Sequence, residues 1–283
     1  FYLLRDDIFE SKDRTKFFDY ITLHTYTTTN PPELRNIPTQ LQNWKAMIEE
    51  HGFDCNDGFW MTEFGNHTGF GAVDSVNEKT QADRLIRQLA ITSSDSMNHK
   101  MYVYDFADAG LNPMNKEHNY GIVKSREYEN AREAKPAYIA LSAYNKTVGN
   151  ATDCEQIKGT HNSDIYGNNF VYKYSFEDKD VFIIWCLKGT GSININEISE
   201  RIPEFYDIYG NEKEIPGNSI PTSQEPLYAV VYNENYVYNF PTGNVEMNLK
   251  ILKTVLITLV CLVTLVCIVL LAGGMDNPFN YRN

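Results

Sequence analysis

Three times between Phe17 and Tyr144, a short run of aromatic and branched residues precedes a stretch with helical spacing, and this alternation limits the fold more than any other feature. FFDYITLHTY (17–26) reads as a strand, with His24 and Tyr26 pointing the same way at its end; Pro31-Pro32 break it. Leu34, Ile37, Leu41, Trp44 and Ile48 then recur at three- and four-residue steps, predicting a helix over 33–50 that Gly52 stops. GFWMTEFG (58–65) predicts a second, buried strand, and Ala82, Leu85, Ile86, Leu89 and Ala90 predict a helix over 79–93. KMYVYDFA (100–107) predicts a third strand. A loop and Gly121-Ile122-Val123 follow, then a helix over 132–144. Strand then helix, repeated, is the pattern of parallel α/β structure, in which chemistry gathers at the carboxyl ends of the strands. Four residues are expected at those ends: His24, Tyr26, Glu63 and Asp105.

From Asn169 the pattern changes. FVYKYSFE, DVFIIWCLK, SININE, FYDIYG and PLYAVVYN are short runs parted by Gly, Asn, Asp and Pro, which predicts a small antiparallel β-sandwich over 169–240. The polar segment 148–168 is expected to link it to the first part, 1–147.

Glu63 is the residue with the clearest chemical reading. A carboxylate at the last turn of a buried strand stays partly wet and within reach of a ligand. The net charge of −12 argues against a nucleic-acid partner. The 19 tyrosines suit ligands with stacking faces and hydroxyls, such as sugars. No CxxC pair or histidine cluster suggests a metal, and no cofactor is expected.

With these residues in place, Thr62-Glu63-Phe64-Gly65 resembles the seventh-strand motif of clan A retaining glycoside hydrolases, which are (β/α)8 barrels, and His24-Thr25-Tyr26 is similar to their sixth-strand His-x-Tyr. MYVYDFADAG, NYGIV and KPAYIAL resemble the eighth strand, loop and last helix of the xylosidase-like family 39, and FYDIYGNEKEI with PLYAVV resembles its appended sandwich. The likeness covers about 17–232. It implies an α/β fold, the C-terminal part of a barrel followed by a small sandwich. Glu63 becomes the nucleophile of a double displacement on β-linked, xyloside-like sugars, Tyr26 its hydrogen-bond donor, and His24 and Tyr104 supporting or substrate-binding residues. The family's acid/base Glu follows an Asn at the end of a fourth strand, which has no counterpart here. The chain is therefore expected to be inactive alone. A barrel that has lost catalysis and serves as a membrane-anchored carbohydrate-binding or adhesive protein is the alternative.

Residues 254–272 contain no charge and no proline. As a helix they extend about 28 Å, near the thickness of bilayer hydrocarbon, which predicts a membrane span within 250–275 and a short tail at 276–283. Lys250 and Lys253 against Arg282 lean toward a cytosolic large domain. Sequons at Asn66, Asn145 and Asn150 lean the other way, toward an extracellular or lumenal one, which is the expected orientation. A glycan at Asn66 would obstruct the cleft, so that sequon is expected to be unused. Among the cysteines, a Cys154–Cys186 bridge and ordinary buried thiols are both open.

Overall fold

A computed structural model of the chain describes residues 19–233, except 54, 56, 57 and 130, and not the side chain of His99. Three strands, β1 (Ile21–His24), β2 (Phe59–Phe64) and β3 (Asn98–Val103), form a parallel sheet in the order β1-β2-β3. Between and after them run α1 (Ile37–Glu50), α2 (Glu78–Ser93) and α3 (Pro136–Val148). Each helix start has a local cause. Asn36 takes the left-handed conformation (φ 47°), which Asn tolerates better than most residues, so Pro32–Arg35 is a separate 3-10 turn and α1 begins only at Ile37. The Asn77 side chain accepts from the Thr80 amide at 2.7 Å and caps α2, and Pro136 sits in the first turn of α3, where its missing N–H costs nothing.

The β part is built from β4 (Asp153–Lys158), β5 (Asn169–Ser175), β6 (Lys179–Cys186), β7 (Gly191–Asn194), β8 (Glu204–Asp207), β9 (Glu212–Lys213), β10 (Ser219–Thr222) and β11 (Leu227–Tyr232). Six of these make an antiparallel sheet in the order β4-β5-β6-β11-β8-β9, and β7 pairs with β10. Alternation along β5 and β6 divides the sheet's two faces. Phe170, Tyr172, Tyr174, Val181, Ile183 and Trp185 join a core with Leu85, Ile86, Leu89 and Ala137 of the helices, while Val171, Phe182 and Ile184 meet Ile193 and Ile220. The helices thus lie between two sheets. On the parallel sheet, Phe59 and Met61 are buried toward them, whereas Thr22, His24, Lys100 and Tyr102 are exposed on the opposite face.

Several expectations are corrected here. The architecture is mixed α/β in which an antiparallel sheet is the largest element. The three parallel strands, where the C-terminal part of a barrel was expected, form an open sheet. The sandwich is also not a separate appendage, because one face of its main sheet completes the helices' own core. Segment 148–168, expected as a linker, contributes the edge strand β4. No helix among the described residues is long and apolar enough to cross a membrane. The run 254–272, on which the expected transmembrane helix fell, lies outside the described residues. The single-pass location and its extracellular or lumenal domain rested on that helix and are withdrawn with it. Cys154 and Cys186 are free thiols, so the bridge between them is not formed, and burial pushes the Cys154 thiol up to about 12.

Candidate active site at the carboxyl ends of the parallel strands

The irregularity that ends β1 assembles the site. Register between β1 and β2 is regular from Ile21–Phe59 to Leu23–Met61, then slips, so that His24 lies opposite Glu63 rather than Thr62. The Tyr26 hydroxyl donates to Glu63 Oε2 at 2.7 Å, and His24 Nδ1 lies 3.3 Å from the same oxygen. The two side chains facing each other across the strands are half open to solvent, His24 at 51% and Glu63 at 34%. A ligand can therefore reach the carboxylate without displacing protein.

Tyr26 is held from behind. Its carbonyl accepts from the Arg35 guanidinium at 2.8 and 3.2 Å, and the Thr25 carbonyl before it accepts from the Gln88 amide at 2.8 Å. The Thr25 amide in turn donates to the Glu63 carbonyl at 3.1 Å. Burial and the bond to Glu63 push the Tyr26 phenol well above its ordinary range, so it remains a donor throughout the physiological range.

Tyr104, just beyond β3, stands 6.1 Å from the Tyr26 ring, and its hydroxyl donates to Glu117 Oε2 at 3.2 Å. Tyr120 was not singled out in the sequence, yet its buried ring is the hub of this cluster. It meets Tyr26 at 5.6 Å, Tyr104 at 5.3 Å and His67 at 5.2 Å, all edge to face. No sequence period marks it, because it lies in an irregular loop. His67 is likewise buried; Nε2 is 3.0 Å from the Val73 carbonyl, Nδ1 has no partner among the described residues, and burial lowers its pKa. Gly65 lets the two loops meet, since a Cβ there would stand 2.1 Å from the Tyr104 carbonyl oxygen.

The two aspartates beyond β3 have other tasks. Asp105 accepts from the next backbone amide at 2.5 Å. Asp108 is buried in an ion pair with Lys135 at 2.7 Å, and Lys135 also donates to Thr68 at 3.0 Å. Asn66 is 6% exposed, its amide donating to the Thr28 carbonyl at 3.2 Å, whereas Asn145 and Asn150 are exposed. No group of three or more His, Cys, Asp or Glu among the described residues is placed to hold a metal ion.

A half-exposed carboxylate held by a phenol, with an imidazole beside it and an aromatic wall behind, is equipped to bind a polyhydroxylated ring and to attack an electrophilic carbon. No family model and no curated protein matches the chain. Among solved structures, a family 39 glycoside hydrolase from the gut symbiont Bacteroides cellulosilyticus superposes with a TM-score of 0.62 at 23% identity, over 77% of this chain and 45% of that one. A family 86 β-porphyranase from Bacteroides plebeius gives a TM-score of 0.45 at 8% identity over 77% of this chain and 42% of the other. A Bifidobacterium dentium β-glucuronidase gives 0.35 at 19% over 51% and 23%. The last two likenesses are too slight to argue from. The first shows that the chain shares the fold of part of that protein, and the chain spans less than half of its length.

Proposed function

We propose that the chain carries the nucleophile half of a retaining glycoside hydrolase acting on β-linked, xyloside-like sugars, with Glu63 as nucleophile. The observation that carries this reading is the 2.7 Å bond from the Tyr26 hydroxyl to Glu63 Oε2 at the open end of a parallel sheet. In the proposed double displacement, a Glu63 oxygen forms a bond to the anomeric carbon as the bond to the leaving oxygen breaks. Water then cleaves the glycosyl ester with a second inversion. Tyr26 supports the reaction by orienting the attacking carboxylate. His24, exposed at the rim, is proposed to bind a sugar hydroxyl, and Tyr104 to lie against the ring.

Departure of an ordinary leaving group also requires a second carboxyl group about 5–5.5 Å away to donate a proton. The family resemblance places that group on a fourth strand with no counterpart in this sequence. The chain alone is therefore proposed to bind β-glycosides and to accept a glycosyl group only from donors whose leaving group departs unassisted. A 2,4-dinitrophenyl 2-deoxy-2-fluoro-β-xyloside is such a donor. Dinitrophenolate leaves without a proton, and the fluorine slows hydrolysis of the ester. Mixed with the chain, it is expected to add one fluoroxylosyl group, which peptide mass mapping finds on Glu63. Labelling elsewhere, or none, overturns the proposal.

A further inference from the structure

Two loops rise from the carboxyl ends of β2 and β3, residues 65–76 and 104–120, and glycines fit them to one another. A Cβ on Gly69 would stand 2.6 Å from the Pro113 carbonyl oxygen, and one on Gly71 would stand 2.7 Å from Met114 Sδ. The Thr68 amide donates to the Asn119 carbonyl at 2.9 Å, and the Asn119 side chain donates to the carbonyls of Asn112 and Asn115 at 2.9 and 2.7 Å. The Val73 carbonyl is held by His67 at 3.0 Å.

Despite this anchoring, the loops turn apolar side chains outward. Phe70 is 88% exposed, Val73 83%, Met114 65% and Leu111 44%. A single exposed apolar residue needs no explanation, but several on two interlocked loops do. The tip Gly69-Phe70-Gly71-Ala72-Val73 contains no polar side chain at all. The bases of both loops belong to the candidate site, because Gly65 packs on Tyr104, and Tyr104 and His67 both meet Tyr120 beside Tyr26.

We infer that Phe70, Val73 and Met114 form the subsite for the leaving group of a β-glycoside, and that this group is apolar, an aryl or alkyl moiety rather than a second sugar. The inference rests on the reading of Glu63 as nucleophile and refines the substrate class. Polar groups suited to sugar hydroxyls concentrate around Glu63: the Tyr26 and Tyr104 hydroxyls, His24 and Glu117. A second sugar would need such groups at the loop tips as well, but the tip of Gly, Phe, Ala and Val offers only backbone, and Asn112 and Asn115 beside Met114 are engaged in their own loop, accepting from the Met114 and Glu117 amides at 3.0 and 3.1 Å. An aryl or alkyl group instead gains from covering these side chains.

The test is calorimetric titration of the 283-residue chain with matched phenyl and methyl β-glycosides of xylose, glucose and galactose. The phenyl member of at least one pair is expected to bind ~10-fold more tightly, the size of effect that burying one ring edge against Phe70 and Val73 supplies. Phe70→Ser and Val73→Ser, both at exposed positions, are expected to remove most of that advantage, read as the ratio of methyl to phenyl Kd within each variant, and Phe70→Leu to retain part of it. Equal binding of phenyl and methyl members overturns the inference and leaves the Glu63 reading standing. So does a phenyl preference that survives both serine variants. Binding of neither member, together with no fluoroglycoside label on Glu63, overturns the site reading and this inference with it.

Discussion

Two carboxylates show how the same group is used at opposite ends of the fold. Glu63 sits at the mouth, half exposed, with one phenol and one imidazole against a single oxygen. Glu33 sits at the joint between the helices and the antiparallel sheet and is fully buried. Its two oxygens take the Arg87 guanidinium in a fork at 2.6 and 2.5 Å, and the Trp185 indole donates to the first at 2.7 Å. Even its backbone is engaged, the carbonyl accepting from the Asn162 amide at 3.2 Å, with His161 Nδ1 at the same distance. A charge so fully matched cannot turn toward a ligand, whereas one matched on one side only can. Solvation and spare lone pairs, not residue type, separate the chemical carboxylate from the structural one.

Removing each carboxylate's partners breaks the comparison in different currencies. Glu63→Gln keeps the shape and removes the nucleophile, so labelling by the fluoroxyloside is expected to fall by at least about a thousandfold, with the urea unfolding midpoint unchanged. Arg87→Met should do the reverse. It leaves Glu33 buried without its counter-charge, a change that costs about 3–5 kcal/mol, and restoring neutrality with Glu33→Gln in the same chain should recover part of the loss. If Arg87→Met moved the midpoint no more than a surface substitution does, the joint would not be the matched site described here. Tyr26→Phe ranks third. It removes one hydrogen bond to a charged group, worth about 1.5–3 kcal/mol, and labelling should slow by ~10- to 100-fold with the label still on Glu63. A label that moved to another residue would separate Tyr26 from the nucleophile.

The mouth was more legible in the sequence than the joint, and the reason is spacing. His24, Tyr26 and Glu63 lie at the ends of runs whose period announces strands, so their meeting follows once the strands are paired in parallel. Glu33, Arg87 and Trp185 are brought together from an irregular turn, a helix and a strand of the other sheet. Periodicity tells which residues of an element share a face but not which element that face will meet. In α2 the polar Gln81, Arg87 and Gln88 are buried as well, which the apolar positions alone do not announce. The same gap hid the extent of the β part, for nothing in the spacing of FVYKYSFE and DVFIIWCLK tells that Tyr172 and Trp185 cover helices while Phe182 faces β7 and β10. Tyr120, Phe70 and Met114 lie in loops, where no period exists to read.

The smallest expected effect sharpens the contrast through pH. His161 seals the joint, with Nδ1 at the Glu33 carbonyl and Nε2 3.0 Å from the Tyr172 hydroxyl, and burial lowers its pKa below the ordinary 6.5. Unfolded, the imidazole takes up a proton near its ordinary value, while the folded chain resists it until lower pH. In that window the unfolded state holds more protons, so stability falls as pH drops below about 6.5, by at most ~1.4 kcal/mol per pH unit for one group, and is unaffected by this residue above it. His67 acts in the same direction, its pKa being lowered by burial too. Asp83, Asp95 and Asp108, whose pKa values burial raises, act in the opposite direction at lower pH. His161→Gln keeps a donor and an acceptor at the joint without a titrating ring. Unfolding midpoints measured from pH 7.5 down to 5 should therefore decline less steeply in the variant than in the parent chain. Equal slopes would mean that His161 takes a proton as readily in the folded joint as in the unfolded chain, and the joint would then be wetter than its buried Glu33 implies.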